Sequence, residues 1–204
     1  MATILYVISY KVINCADYGV PQIRQRFICV GSLKEYGTFK FPDNTHENRK
    51  KLDLFSGNKK EWINCKEAIG DLDVPLPEDK DNLAGSKHKH LLKLIPPGEN
   101  YLFFTKERGH PNPEFKWRSR YWSFLLKLSP KEPSWTIQAS FSNNMGPFHW
   151  KNRFLRINEI KRIQTFPDKY KLMGNFKEQW RLVGNAVPPL LTKVISKEIK
   201  KQLF

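Results

Sequence analysis

The sequence predicts an α/β fold in which only part of a doubly wound sheet is present, joined to a small region of mixed, irregular structure. Three observations carry that prediction. Phe27-Ile28-Cys29-Val30 is apolar on consecutive positions, the pattern of a strand covered on both faces. Leu190, Leu191, Val194, Ile195 and Ile199 fall on one stripe of a C-terminal helix that needs a sheet to cover. Between these two ends almost nothing reads as the remaining strands of such a sheet.

Taken in order, residues 1–33 open with the tail of a helix or a loop entry from Ile4, followed by a strand around Lys11 to Cys15. The polar loop "ADYGVPQIRQRF" comes next, then a second strand from Arg26 to Val30. From Lys34 to about Ser134 the chain breaks into pieces rich in Pro, Gly, Asn and charge, such as "FPDNTHENRKK" and "VPLPEDKDNLAGSKHKH", which predict turns and short strands with one short helix at "CKEAIGDL". Residues 151–204 turn helical. In "RINEIKRIQTFPD", Asn158 is the expected cap, Ile157, Ile160 and Ile163 have helical spacing, and the helix stops before Pro167. "VPPLLTKVISKEIKKQLF" then starts a helix with prolines in its first turn. A sheet of two strands, one of them apolar on both sides, is an aggregation hazard unless another polypeptide or a further segment completes it.

The 204 residues carry a formal net charge of +15. The excess is unevenly spread: residues 1–40 hold 5 basic and 2 acidic side chains, residues 41–116 hold 13 of each, and residues 117–204 hold 17 against 5. The basic residues alternate with Trp117, Tyr121, Trp122 and Trp150 and form no amphipathic membrane helix, so the expected partner is nucleic acid. Three cysteines without paired spacing support neither a disulfide framework nor a zinc site, and point to a reducing cytosol. No metal site is expected, His88, His90 and His110 read as surface residues, and neither a signal peptide nor a membrane span is expected.

Three ordered stretches carry a resemblance. "ADYGVPQIRQRFICVG" resembles the glutamine-arginine-arginine motif of DNA cytosine-5 methyltransferases, the eighth of the family's ten blocks. "RFLRINEIKRIQTFPD" resembles the ninth, with Arg156 and Asn158 where the family usually has threonine and arginine, and "GNAVPPLLTKVISKEI" resembles the tenth. "PDNTHE", "EAIGDL" and "IPPGENY" are similar to connecting pieces of bacterial members. The Pro-Cys-Gln nucleophile, the Glu-Asn-Val motif and the Phe-x-Gly-x-Gly cofactor loop have no counterpart, so the chain resembles the C-terminal half of the enzyme.

The resemblance implies a partial Rossmann-like methyltransferase core in residues 1–33 and 151–204, interrupted by a target recognition domain in residues 34–150. Methylating C5 of a flipped cytosine needs a thiolate at C6, an acid at N3 and a methyl donor over the ring, groups that the absent half would bring. On this side of the pocket, Arg26 would reach the cytosine O2, Arg24 the neighbouring backbone, and Gln22 would help hold the loop. Asn185, Ala186 and Val187 would contact S-adenosylmethionine, although Asn185 also reads as a cap for the last helix. Implied DNA contacts are Arg118, Arg120, Thr136, Ile137, Asn143, Asn144, Lys151 and Arg153. The implied partners are double-stranded DNA and an N-terminal catalytic half. The implied setting is bacterial restriction-modification, in the cytoplasm at the nucleoid. A split-enzyme subunit and a truncated product both fit, and a non-catalytic DNA-binding module or a tRNA cytosine-5 methyltransferase fragment are the alternatives.

Overall fold

Stretches rich in β-branched and aromatic residues become the longest strands of the chain. The computed structural model describes residues 6–51, 57–80, 84, 86–140 and 142–204. Tyr6–Asn14 form β1, the following loop carries the two-residue β2, Gln22–Ile23, and Gln25–Leu33 form β3. β1 and β3 pair antiparallel, from Tyr6 opposite Leu33 to Asn14 opposite Gln25. The expected first strand is therefore extended at its start. No helix tail precedes Lys11 among the described residues, because the period-two run from Tyr6 continues the ladder, and Cys15 lies beyond the strand in a 3-10 turn, Cys15–Tyr18.

That turn launches the polar loop. Asn14 Oδ1 accepts the backbone N–H groups of Ala16 at 3.4 Å and Arg24 at 3.2 Å, tying both ends of the loop together. Gly19 closes the turn at φ +83°, where a Cβ would also come within 2.8 Å of the His46 ring, so glycine is required on both counts.

The middle of the chain is made of short elements. β4 (His46–Glu47) and β5 (Lys60–Glu61) pair parallel. Helix α1 (Cys65–Ile69) starts where Asn64 Oδ1 accepts the Glu67 N–H at 2.9 Å, and α2 spans Lys89–Leu94. β6 (Ser134–Trp135) pairs parallel with β2, which ties the middle segment to the polar loop.

Three helices follow: α3 (Ile157–Ile163), α4 (Phe176–Asn185) and α5 (Pro189–Leu203). Asn158 is not the cap of α3. It lies inside the helix, whose N-cap position is held by Arg156, with the Glu159 carboxylate accepting the Arg156 N–H at 2.7 Å. α4 went unpredicted, yet Asn175 and Glu178 form a reciprocal capping box across its first turn, with bonds of 3.1 and 2.8 Å.

Apolar residues gather in three places. Leu92, Tyr101, Phe104, Leu125 and Phe148 centre a core within the middle segment. Cys65, Leu128, Ile137, Ile160, Ile163 and Val183 make a second core that joins α1, α3 and α4. The expected stripe of α5 covers the hairpin, with Leu191 and Ile195 against Ile13, Tyr18 and Val20, and Leu203 against Val30 and Phe39.

Among the described residues, packing covers one face of the hairpin. Tyr6, Ile8, Tyr10, Val12 and Phe27 point away from α5 and keep 62, 64, 70, 59 and 64 % of their surface exposed. The run from Phe27 to Val30 is thus buried on one side, not on both, because α5 supplies a single layer.

Candidate functional site

The polar loop sends its side chains in two directions. Gln22 and Arg24 point inward and are buried, whereas Arg26 is half-exposed at the start of β3, opposite Ile13, with Nη1 donating to the Gln25 carbonyl at 2.7 Å. Inside, Arg24 Nη1 donates to the Ile137 carbonyl at 3.0 Å and to Gln22 Oε1 at 3.4 Å. Arg24 Nη2 donates to the carbonyls of Gly184 at 2.6 Å and Ala186 at 3.3 Å. Gln22 Oε1 also accepts the Ile137 N–H at 3.4 Å. A guanidinium can do this because it is permanently charged and fans out its donors in a plane. The backbone that Arg24 reaches is the protein's own, which corrects its expected outward role. It clamps the polar loop, the segment after β6 and the end of α4 into one unit.

The ninth stretch locks onto the same unit. Gln164 is buried and its Nε2 donates to the Val183 carbonyl at 3.0 Å, while Thr165 Oγ1 accepts the N–H of Leu190, the second residue of α5, at 3.0 Å. Gly184 fits against the segment after β6 so closely that a Cβ would lie 2.7 Å from Ala139 Cα and 2.7 Å from the Gln138 carbonyl oxygen. Asn185 and Val187 emerge exposed from this clamp with Ala186 half-buried between them. Asn185 ends α4 and does not cap α5, whose N-cap position is Pro188.

The three thiols differ. Burial pushes the Cys15 thiol up to about 11 and pushes Cys65 up further still. Cys29 is exposed on the open face of the hairpin, opposite Tyr10.

The expected DNA contacts separate just as clearly. Arg118 and Arg120 are exposed, each with its guanidinium carbon near an aromatic ring, Trp117 at 5.8 Å and Phe124 at 5.9 Å. Asn143 is exposed, and Asn144 is half-buried with its carbonyl accepting the Leu125 N–H at 2.9 Å. Thr136 is exposed, with its hydroxyl donating to the Ile23 carbonyl at 2.9 Å. Lys151 is exposed but held 3.0 Å from Asp73.

Two of the expected contacts are corrected. Ile137 is fully buried in the second core. Arg153 is buried in a bidentate pair with Glu159, at 2.8 and 2.7 Å, and makes no outward contact. Other positive charge is also held by carboxylates, Arg156 by Asp79 and Arg162 by Asp71 and Asp168. The C-terminal excess therefore offers less free charge to a polyanion than its count suggested. His88 and His110, expected on the surface, pack edge-on against phenylalanine rings: His88 on Phe124 at 5.4 Å and His110 on Phe104 at 4.8 Å.

A loop clamped by a buried arginine, a half-exposed arginine at its rim and an exposed amide at the end of α4 make up the candidate site. The family model for C-5 cytosine-specific DNA methylases matches residues 1–201, and the chain belongs to that family. The type II methyltransferase M.SacI of Streptomyces achromogenes is 39 % identical over 206 residues, covering 96 % of this chain and 52 % of the relative. M.MthTI of Methanothermobacter thermautotrophicus is 31 % identical over 211 residues, covering 97 % and 57 %. The chain spans about half the length of the curated relatives it matches.

Among solved structures, a DNA modification methyltransferase encoded within an Escherichia coli prophage superposes with a TM-score of 0.55 at 17 % identity, covering 97 % of this chain and 61 % of the other. The Entamoeba histolytica methyltransferase EhMeth gives 0.55 at 16 %, covering 98 % and 55 %. These likenesses support the mixed α/β fold. Among the described residues no helix is long and apolar enough to cross a membrane, and no cluster of three or more His, Cys, Asp or Glu could hold a metal ion.

Proposed function

We propose that this chain is the DNA-reading, pocket-closing part of a cytosine-5 DNA methyltransferase of a bacterial restriction-modification system, acting when joined to a half that carries the nucleophile. The observation that carries the reading is the Arg24 clamp. It seats the eighth and tenth sequence blocks, 160 residues apart, against each other, with Arg26 half-exposed and Asn185 exposed. Arg26 uses one N–H on the Gln25 carbonyl and keeps the others for the O2 of a flipped cytosine. The rim of Asn185, Ala186 and Val187 fits S-adenosylmethionine, offering an exposed amide and two small apolar side chains beside a positively clamped turn. That donor supplies the methyl group when bound.

A catalytic cysteine must become a thiolate. Burial holds Cys15 and Cys65 in their neutral form, and Cys29 faces away from the clamp, so the reading assigns the nucleophile to the missing half. A Rossmann-like core would then be completed on the open face and edges of the hairpin. In this reading DNA is the substrate, and the compartment is the cytoplasm at the nucleoid.

The test mixes the chain with the N-terminal half of M.SacI and follows radioactive methyl transfer to plasmid DNA. The expected result is negligible transfer from either part alone, transfer from the mixture, and a loss of about 10²–10³-fold in the mixture with Arg26→Ala. Full activity from this chain alone overturns the division of labour. DNA binding without rescue would mark a non-catalytic binding module instead.

A further inference from the structure

Two clefts lie side by side on the middle segment and share one ridge. The first, about 460 Å³, is lined by Trp122, Trp135, Thr136, Gln138 and Met145, and the second, about 500 Å³, by Trp117, Arg118 and Arg120 among others. Tyr121 and Trp122 line both and so form the ridge between them. Tyr121 is 82 % exposed, Trp122 48 % and Trp135 39 %, and the two indole rings pack edge to face at 5.6 Å and 67°, forming one apolar wall that is partly open to solvent. Aromatic surface of this extent, left uncovered and contiguous, marks a contact site.

The ridge is held from beneath by two buried side chains. Asn100 Nδ2 donates to the Trp122 carbonyl at 2.7 Å. The Tyr101 hydroxyl donates to the Arg120 carbonyl at 2.8 Å and accepts the Arg120 N–H at 3.1 Å. Polar groups buried to fix an exposed loop pre-organise it for a partner. On the side of the second cleft Arg118 and Arg120 are exposed and rest near aromatic rings, while Arg108, paired with Glu99 at 3.3 Å, is already engaged.

The far wall of the first cleft belongs to the clamp. Thr136 bonds Ile23, the neighbouring Ile137 carbonyl accepts Arg24, and the Gln138 carbonyl accepts Trp180 Nε1 at 2.8 Å. The cleft therefore opens beside the loop that presents Arg26.

We infer that the cleft walled by Trp122 and Trp135 takes an unstacked nucleobase of the bound DNA, stacked on the indole surface next to the target cytosine, while Arg118 and Arg120 across the ridge hold the adjoining phosphates. An aromatic wall flanked by cations matches a heterocycle attached to a phosphate chain; an aliphatic ligand would need neither. This inference rests on the DNA-reading role proposed above.

The test titrates the full chain with three labelled duplexes of one sequence: fully paired, with one unpaired base beside a cytosine, and with an abasic site at that position. The unpaired base is expected to bind about five- to a hundredfold tighter than the abasic site. Trp122→Ala and Trp135→Ala should erase that preference, and Trp122→Phe, which keeps a ring, should retain most of it. Arg118→Ala and Arg120→Ala should weaken all three duplexes alike and lower the salt dependence. Equal binding of the unpaired-base and abasic duplexes, with the arginine effects intact, overturns the base-binding cleft and leaves the DNA-reading role standing. No binding to any duplex sinks the DNA-reading role itself, and the cleft with it.

Discussion

Arg24 and Arg26 are two positions apart and do opposite work. The Arg24 guanidinium is buried among the carbonyls of Ile137, Gly184 and Ala186, so removing it strands several acceptors at once, each costing about 1–3 kcal/mol. Arg24→Met is expected to lower stability by about 2–4 kcal/mol, read as a shift in the urea midpoint at constant slope. Arg26→Met is expected to stay within about 0.5 kcal/mol, because among the described residues its one hydrogen bond goes to the neighbouring Gln25 carbonyl, while still lowering methylation in the reconstituted mixture by about 10²–10³-fold. Equal destabilisation by the two would refute this separation of roles. Gly184 is a case where two effects compete. Alanine gains about 1 kcal/mol of helix propensity, but its Cβ would meet backbone atoms at 2.7 Å, and overpacking of that kind costs about 1–3 kcal/mol. The clash is expected to win, and Gly184→Ala should unfold at lower urea than the parent chain.

Elements differ in how much of their environment their own sequence contains. The stripe on α5 and its hairpin partner are local patterns, and they meet as the periodicity implied. Leu191→Ala is expected to cost about 2–5 kcal/mol, since the residue is fully buried against the hairpin. Ile8→Thr, on the open face, is expected to change urea stability by less than about 0.5 kcal/mol and to reduce aggregation seen by light scattering. A large stability loss from Ile8→Thr would mean that the face is already covered. The same contrast explains what was legible. Helix α4 carried its signal in Asn175 and Glu178, a capping box before an apolar face that could have been read. The parallel pairing of β2 with β6 had no such signal, because two residues in each strand meet across more than a hundred positions. For Arg153, the sequence shows a cation in a basic segment. Only the fold shows that Glu159 faces it at 2.7 Å. The aromatic ridge was half visible, since Tyr121 and Trp122 stand among arginines, but Trp135 joins them only through packing.

For the molecule as a whole, buried titratable groups set how stability follows pH, and several of them pull against each other above neutrality. Lys127 is fully buried with its ammonium donating to the Ile95 carbonyl, and burial draws its pKa from 10.5 down to about 8. Between about pH 8 and 10.5 the unfolded chain holds this proton more firmly than the folded one, so Lys127 makes stability rise with pH across that window. The thiols act in the other direction. Burial lifts Cys15 from 9.0 to about 11 and lifts Cys65 further, so above about pH 9 the folded chain keeps protons that the unfolded chain releases, and stability falls. Among the described residues Lys127 is the group whose shift acts between pH 8 and 9, and above pH 9 it is opposed by the two thiols and, nearer pH 10, by the Tyr18 hydroxyl, which burial also pushes up. The urea midpoint of the reduced chain is therefore expected to climb from pH 8 to a maximum near pH 9 and to decline beyond it. Lys127→Met should remove the climb and keep the decline, whereas a parent chain whose midpoint stays flat between pH 8 and 9 would show that the ammonium is hydrated in the folded state.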